Sequence, residues 1–180
     1  MNESPSTTVE VRRARADRDE AEVLRLMGEY LIWALAQLEA EYGIADMPVD
    51  PTPVAGWLDG YRPPHGLVAV AELNGQIAGI GALHALTPGV AEIKRMYVPP
   101  PYRGLHIASS ILDFLLVRAR EDLEAETVRL DTCRFMTAAQ RLYQSRSFVE
   151  RPPYEGTEIP ERLQRYWRFF EKSLVRDPSG

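Results

Sequence analysis

The chain of 180 residues contains one cysteine and two lysines, and both shortages exclude whole classes of protein. With Cys133 alone, no internal disulfide and no cysteine-rich zinc site can form. Lysine is confined to Lys94 and Lys172, the arginines are scattered, and the formal net charge is −5. Because a nucleic-acid-binding surface usually has clustered lysine and arginine, we expect a small-molecule partner and no nucleic acid.

Long apolar runs are absent as well. No stretch approaches the roughly 20 apolar residues that a membrane-spanning helix needs, so no membrane partner is expected. Residues 1–8 are polar and lack the apolar core of a signal peptide. Together with the single cysteine, these features predict a cytoplasmic location. The histidines His65, His84 and His106 are not at metal-ligand spacing, so no metal site is expected.

The organisation of the chain favours a single domain. No internal repeat and no Gly/Ser-rich linker divides it, and domains typically contain about 100–200 residues. Its composition, 45% hydrophobic and 26% charged, is that of an ordinary globular protein. We therefore expect one domain over residues 8–175, with short polar ends at 1–7 and 176–180 that are disordered.

The first third of the chain predicts a strand followed by a long helix. Alternating valines predict the strand over 8–14. Asp17 stands at the expected N-cap of the helix, with Glu20 as its capping-box partner. Apolar residues then recur at helical spacing up to Gly43, with a possible break inside the helix. The proline-rich stretch that follows is expected to form a loop with a short helix around 54–60.

Strands and helices alternate through the rest of the chain. Asn74 and Gly75 separate two β-prone runs and tolerate positive φ, which predicts a hairpin with a type I′ turn. The later elements are predicted as a strand over 90–98, a helix over 103–121, a strand over 127–132, a helix over 137–144 and a strand over 165–174. This order indicates a mixed α/β sheet with helices on its faces.

The segment from Glu92 to Ala108 runs from a strand through a proline-rich turn into a helix. The first backbone N–H groups of a helix are unpaired and carry a partial positive charge, which suits a phosphate or a pyrophosphate. Arg103 adds a charged donor, and Gly104 lets the backbone approach a bulky anion. The spacing matches neither a Walker A loop nor Gly-x-Gly-x-x-Gly, so a dinucleotide-binding fold is not indicated.

This segment resembles the acetyl-CoA loop of the GNAT N-acetyltransferases. The family pattern is Arg/Gln-x-x-Gly-x-Gly/Ala, and the residues here are Arg103-Gly104-Leu105-His106-Ile107-Ala108. The resemblance continues over 93–98 before the loop, and after it through Ala139-Gln140-Arg141-Leu142-Tyr143 and Phe148. Two positions depart from the pattern, because His106 and Ser147 stand where the family has glycine.

The resemblance implies a fold of the α/β class (α+β mixed), the GNAT fold, with a central, mostly antiparallel mixed sheet of about seven strands flanked by helices. Its fourth and fifth strands run parallel and splay apart to admit the pantetheine arm of acetyl-CoA. The helix predicted from residue 103 then presents its N-terminus to the pyrophosphate. The residues implied to bind acetyl-CoA are Met96, Tyr97, Val98, Arg103, Gly104, Leu105, His106, Ile107 and Ala108.

The resemblance also implies a reaction, the direct transfer of an acetyl group from acetyl-CoA to a primary amine of a small molecule or peptide in a ternary complex. Such an amine is mostly protonated at neutral pH and must lose a proton before it attacks. Glu92 matches a base position of some family members, and a salt-bridged strand carboxylate is the open alternative. Tyr143 matches the acid that protonates the CoA thiolate, and ordinary aromatic packing is its alternative.

Several aromatic residues and one histidine are candidates for the acceptor site. They are Tyr30, Trp33, Trp57, His84 and Tyr154, which lie in segments that shape the acceptor pocket in related folds. Packing in the core or at a dimer interface is an equally open interpretation of the aromatic residues. The family also suggests a homodimer. A non-catalytic acyl-CoA-binding or regulatory domain on the same fold is the alternative function.

Overall fold

A computed structural model describes residues 8–47, 56 and 58–175 of the chain. The ends expected to be disordered and Trp57 lie outside these ranges. None of the described helices has the length and apolar content needed to cross a bilayer. The helices and strands are β1 (Val9–Arg13), α1 (Ala16–Tyr42), β2 (Gly66–Leu73), β3 (Gln76–Thr87), β4 (Val90–Tyr97), α2 (Ile107–Asp122), β5 (Thr127–Cys133), α3 (Thr137–Ser145), β6 (Val149–Arg151) and β7 (Trp167–Ser173).

The seven strands form one sheet in the order β1-β2-β3-β4-β5-β7-β6. Neighbouring strands are antiparallel except for β4 and β5, which run parallel. β7 lies between β5 and β6, so the last two strands are out of sequence order. The predicted fold, a mixed and mostly antiparallel sheet with flanking helices, is confirmed.

The fourth and fifth strands separate partway along their length. β4 pairs with β5 only from Val90 to Ile93, opposite residues 127–130. Just beyond, Arg95 has a φ of 56°, and the register between β3 and β4 shifts, as it does at a β-bulge. Because a bulge bends the strand that carries it, the end of β4 leaves the end of β5. The predicted splay of these two strands is confirmed.

Backbone angles test two further predictions. Asn74 and Gly75 have φ values of 51° and 79°, so the predicted type I′ turn between β2 and β3 is confirmed. α1 ends where expected, with Gly43 in the left-handed region at a φ of 68°. The predicted break inside this helix is wrong, because α1 is continuous from Ala16 to Tyr42.

The predicted N-cap of α1 is also wrong. The helix begins at Ala16, one residue before Asp17, and Arg15 is its N-cap. The carboxylate that serves this end belongs to Asp19, which accepts hydrogen bonds from the Arg15 backbone N–H (2.7 Å) and from Arg12 Nη1 (2.6 Å). Asp19 is only 1% exposed. A tertiary ion pair, rather than the local capping pattern, therefore holds the start of this helix.

α1 and α2 cover opposite faces of the sheet, since alternate residues of β2 belong to two separate core clusters. α1 packs its apolar stripe against Val68, Val70 and Ile80. On the other face, a Cβ atom added to Gly79 of β3 would lie 2.8 Å from Ile107 Cγ2 of α2. Glycine at this position therefore allows the first turn of α2 to approach the sheet closely.

The second helix begins later than predicted. A 3-10 turn at Pro100–Tyr102 is followed by an extended Arg103, so α2 begins at Ile107 and not at residue 103. His106 precedes the helix in the left-handed region, at a φ of 59°. The family's glycine at this position would adopt that backbone without strain.

Replacing Asp19 with asparagine tests the ion pair at the start of α1. The hydrogen bond from Arg12 lowers the pKa of Asp19 from 3.8 to about 2, in spite of burial. This lowering is worth about 2 kcal/mol of unfolding free energy above pH 4, and it is lost as the pH falls through about 2. We expect D19N to reduce the unfolding free energy by about 2 kcal/mol near pH 7 and by far less near pH 2, as measured by urea denaturation.

Asp17 provides the matched control, because it lies exposed in the first turn of the same helix. D17N should change the unfolding free energy by less than about 0.5 kcal/mol. An equal loss in both variants, or a D19N loss that is the same at both pH values, would contradict the assignment.

Replacing His106 with glycine tests the strain before α2. A left-handed backbone costs a residue other than glycine about 1–2 kcal/mol, part of which is offset because glycine has more chain entropy to lose on folding. We expect H106G to raise the unfolding free energy by about 0.5–1 kcal/mol, again measured by urea denaturation. L105G is the control, since Leu105 lies outside the left-handed region, and this variant should not be stabilised.

Candidate functional site

A cavity of about 410 Å³ lies where the end of β4 meets α2 and α3. We call it the α2 cavity. Every residue predicted to bind acetyl-CoA lines it except Leu105, which is 43% exposed and lies outside the lining. Tyr143 of α3 lines the same cavity. The structure thus brings the predicted general acid and the predicted acetyl-CoA loop together in one place.

The N-terminus of α2 opens into this cavity. The first intrahelical bond runs from the Ser110 backbone N–H to the His106 carbonyl, so the backbone N–H groups of the preceding turn have no partner within the helix. No side chain caps this end. Ile107 and Ala108 line the cavity, which places these donors and the positive end of the helix dipole beside it. This arrangement can bind a phosphate or a pyrophosphate.

Arg103 is positioned by two contacts at the edge of the α2 cavity. Its Nε donates a hydrogen bond to the Val98 carbonyl (3.1 Å), and its guanidinium lies 5.8 Å from the centre of the Trp33 ring. Gly104 follows in the left-handed region at a φ of 83°, and no atom lies within 4 Å of where its Cβ would be. Gly104 is therefore needed for the backbone conformation and leaves open space beside Arg103.

Tyr143 is 7% exposed and packs edge-on against Phe148, with the ring centres 5.9 Å apart. Burial raises the pKa of its phenol, so the phenol keeps its proton at neutral pH. Tyr143 therefore both packs in the core and lines the α2 cavity. The two interpretations of this residue, as an acid and as a packing residue, are compatible.

A second cavity, of about 250 Å³, lies on the α1 side of the sheet. We call it the α1 cavity. Arg95 lines it, whereas the next residue, Met96, lines the α2 cavity, so the two cavities meet at the bulge of β4. Tyr30 also lines the α1 cavity, and burial raises the pKa of its phenol to about 12. Trp33 lies beside Tyr30 and packs edge-on against Phe135, another residue of the lining.

Glu92 is 2% exposed and enclosed by partners. Its Oε2 lies 2.7 Å from His84 Nε2, and its Oε1 accepts a hydrogen bond of 2.6 Å from the Tyr154 hydroxyl. Burial raises the pKa of Glu92, but the hydrogen bond with His84 and the charge of Lys94 outweigh it, and the pKa falls below its usual value. Among the residues that line the two cavities, Glu92, His84 and Tyr154 do not appear.

Two carboxylates beside the opening were missed by the sequence interpretation. The side chain of Asp131 is 9% exposed and that of Glu158 is 46% exposed. Lys94 is 7% exposed, and its Nζ lies 2.8 Å from Asp131 of β5 and 3.1 Å from Glu158. Arg95 pairs with Glu158 as well (2.9 Å). The one available signal was the presence of a charged residue, Asp131, inside an otherwise β-prone run. Glu158 lies in a loop, where an acidic residue does not by itself predict a functional site.

The pKa values of Lys94 and Asp131 are both raised, for different reasons. Burial lowers the pKa of Lys94, but the nearby charges of Asp131, Glu158 and Glu92 outweigh burial and raise it well above its usual value. Burial raises the pKa of Asp131, and Lys94 opposes that shift only in part. In the described ranges, no three histidine, cysteine, aspartate or glutamate side chains are arranged to hold a metal ion.

Comparison with known proteins identifies the family. The acetyltransferase (GNAT) family matches residues 29–148 of the chain. An uncharacterized N-acetyltransferase of Schizosaccharomyces pombe is 36% identical over 102 residues, which are 56% of this chain and 62% of that protein. An IAA acetyltransferase of Azospirillum brasilense is 32% identical over 106 residues, or 58% of this chain and 66% of that protein. The chain thus spans less than two thirds of either relative.

Solved structures share the fold over nearly the whole chain. An acetyltransferase of the GNAT family from Staphylococcus aureus has a TM-score of 0.70 at 20% identity, covering 93% of this chain and 100% of that one. A Salmonella typhimurium protein described with its cofactor acetyl-CoA has a TM-score of 0.67 at 19% identity, covering 95% and 96%. At these identities the likeness establishes the fold, while the sequence match covers 29–148. The chain belongs to the acetyltransferase (GNAT) family.

Proposed function

We propose that the protein transfers the acetyl group of acetyl-CoA directly to the primary amine of an acceptor. The observation that carries this proposal is the shared lining of the α2 cavity. A free helix N-terminus at Ile107, the guanidinium of Arg103 and the phenol of Tyr143 all border one space of about 410 Å³ at the opening of the sheet. A CoA thioester requires an anion-binding site for its pyrophosphate and a proton donor for the thiolate that leaves at its other end.

Acetyl-CoA fits the residues present. The pyrophosphate would bind the backbone N–H groups at Ile107 and Ala108 together with Arg103, because these are the charged and unpaired donors of the cavity. The pantetheine arm would lie along β4 at 96–98, past the point where β5 ceases to pair with that strand. The exposed imidazole of His106 lies at the mouth of the cavity, and its backbone N–H remains available.

Acetyl transfer changes the charge on three groups, which are the amine, the thioester oxygen and the departing thiolate. A primary amine has a pKa near 10 and must lose a proton before it attacks the thioester carbon. The tetrahedral intermediate carries negative charge on oxygen, which backbone N–H groups at the end of β4 would stabilise. The departing thiolate needs a proton, and the phenol of Tyr143 holds one at neutral pH.

The contacts of Glu92 favour its alternative role, that of a strand carboxylate held in ion pairs. Its two oxygens already have His84 and Tyr154 as partners, and its pKa is lowered, whereas a general base works best with a pKa near the working pH. Glu92 also lies 3.5 Å from Lys94. We propose that Glu92 positions Lys94. Its role as the base, the cytoplasmic location and the homodimer stay predictions.

Tyr143→Phe tests the proton donor. Removal of the hydroxyl leaves the packing against Phe148 intact, so acetyl-CoA affinity should stay within about twofold, while kcat should fall by about 100-fold, as expected for loss of a general acid. The readout is release of free thiol during turnover, beside titration calorimetry with acetyl-CoA. Tyr166→Phe is the control, because Tyr166 stacks on Tyr42 away from the α2 cavity. Full turnover by Y143F would refute the assignment.

Arg103→Ala tests the phosphate site. Loss of a charge-assisted contact should weaken acetyl-CoA binding about tenfold and flatten its dependence on salt. Isothermal titration measures this, with ATP as the control ligand and Arg13→Ala as the control variant, since Arg13 pairs with Asp122 outside the α2 cavity. Absence of acetyl-CoA binding by the unaltered protein, or equal binding of ATP, would overturn the proposed function. Saturable binding without acetylation of any amine would favour the non-catalytic alternative.

A further inference from the structure

The α1 cavity combines apolar walls with charged side chains at one end. Most of its lining is apolar and comes from α1 and from the segments that follow β5, with Leu31, Ala34, Leu35, Phe135 and Met136 among the residues. The ionisable carboxylates of the lining, Asp131 and Glu158, lie at the end beside the opening between β4 and β5, where Lys94 and Arg95 contact them. A ligand of this cavity must therefore be apolar over most of its surface and polar at one end.

The charged groups at this end form one connected cluster. Glu92, Asp131 and Glu158 supply three negative charges, while Lys94 and Arg95 supply two positive ones. Ion pairs away from water are stable only when their charges are compensated. The side chains of Glu92, Lys94 and Asp131 are 3%, 6% and 9% exposed, whereas that of Glu158 is 46% exposed. The buried part of the cluster therefore holds two carboxylates and one ammonium, and a bound ammonium group would add a second positive charge.

Asp131 is the carboxylate best placed to receive that ammonium. It is the first residue of β5 after Leu130, where the pairing with β4 ends, so it lies at the opening itself. Its charge raises the pKa of Tyr30, which lines the α1 cavity, and of Tyr143, which lines the α2 cavity. Asp131 therefore acts on groups of both cavities. Lys94 donates to Oδ2 of Asp131.

We infer that the α1 cavity binds the acceptor as a small primary monoamine on an apolar body, and that Asp131 pairs with its ammonium group and accepts its proton. This inference rests on the proposed function. The cavity of about 250 Å³ is smaller than the roughly 300–1,000 Å³ of pockets for drug-sized ligands, so it suits a compact amine rather than a peptide.

The proton and electron balance closes with the residues present. The ammonium gives one proton to Asp131, and the freed nitrogen lone pair forms the bond to the thioester carbon. The carbon–sulfur bond then breaks, and the thiolate takes the phenolic proton of Tyr143. The phenolate recovers a proton from the acylated nitrogen, and Asp131 releases its proton to water. The products are the amide, CoA with a free thiol and one proton.

Burial supports Asp131 in this role, because it raises the pKa of the carboxyl above its usual value and makes it a stronger base than an exposed aspartate. The groups that face Asp131 from the neighbouring elements are Lys94 and Glu92 of β4, Glu158, Tyr30 of α1 and Tyr143 of α3. Lys94 is the cation among them, and Glu92 and Glu158 both oppose ionisation of Asp131.

The first experiment compares acceptors. Acetylation of 2-phenylethylamine and hexylamine is measured against that of spermidine and ethanolamine, by mass spectrometry of the product and release of free thiol. We expect kcat/KM for the apolar monoamines to exceed that for the polar amines at least about tenfold. If acetyl-CoA binds and the polar amines are acetylated as well or better, the inference fails and the proposed function stands. If acetyl-CoA does not bind, or no amine is acetylated, both fail.

The second experiment tests the residues. Asp131→Asn should lower kcat/KM for 2-phenylethylamine by about 100-fold and leave acetyl-CoA affinity within about twofold. Asp113→Asn is the matched control, because Asp113 lies half-exposed on α2 beside Arg146, and it should change neither quantity. Unaltered kcat/KM in D131N would overturn the role of Asp131.

A third variant tests the cavity without altering its charges. Ala34→Leu narrows the apolar wall at a helical position that tolerates leucine. We expect the KM for 2-phenylethylamine to rise at least about tenfold while the KM for methylamine changes little. An equal change for both amines would place the acceptor elsewhere. This variant also provides a test that does not depend on the folding of D131N.

Discussion

The separation of β4 from β5 after Ile93 is the constraint on which both cavities depend. Two parallel strands that stayed paired would fill this space with backbone hydrogen bonds, and no opening would connect the faces of the sheet. The left-handed Arg95 ends the pairing, and it directs successive residues, Arg95 and Met96, to different cavities. A local backbone irregularity thus creates the site where two substrates could meet.

Strand ends that separate inside a protein leave polar groups in need of partners. Here the ion pair between Lys94 of β4 and Asp131 of β5 bridges the gap, with a distance of 2.8 Å. Glu92 lies 3.5 Å from Lys94 and is itself held by contacts with His84 and Tyr154. This side-chain ion pair therefore joins the two strands just beyond the point where their backbone pairing ends. The same groups supply the electrostatics of the α1 cavity.

The sequence predicted the features that short-range chemistry decides. Asn74 and Gly75 set the hairpin, and the family resemblance placed Arg103 and Tyr143 on one site. The prediction from sequence failed where tertiary contacts determine the structure. At the start of α1, for example, Arg12 and Asp19 meet only after β1 and α1 have packed. The contact between Lys94 and Asp131 likewise joins residues 37 positions apart, and no spacing rule reports such a pair. Glu92 was recognised, but its enclosing partners could be found only in three dimensions.

Lys94 places a primary amine 2.8 Å from Asp131, beside the proposed acetylation site, which raises the question of why Lys94 would not be acetylated itself. Its three carboxylate neighbours raise its pKa and hold it as an ammonium ion, which has no lone pair for attack on a thioester. The ion-pair cluster therefore also protects Lys94 from acetylation by the acetyl-CoA that the protein binds. The cluster treats the two amines differently. It keeps the amine of Lys94 protonated, whereas the amine of the proposed acceptor loses its proton.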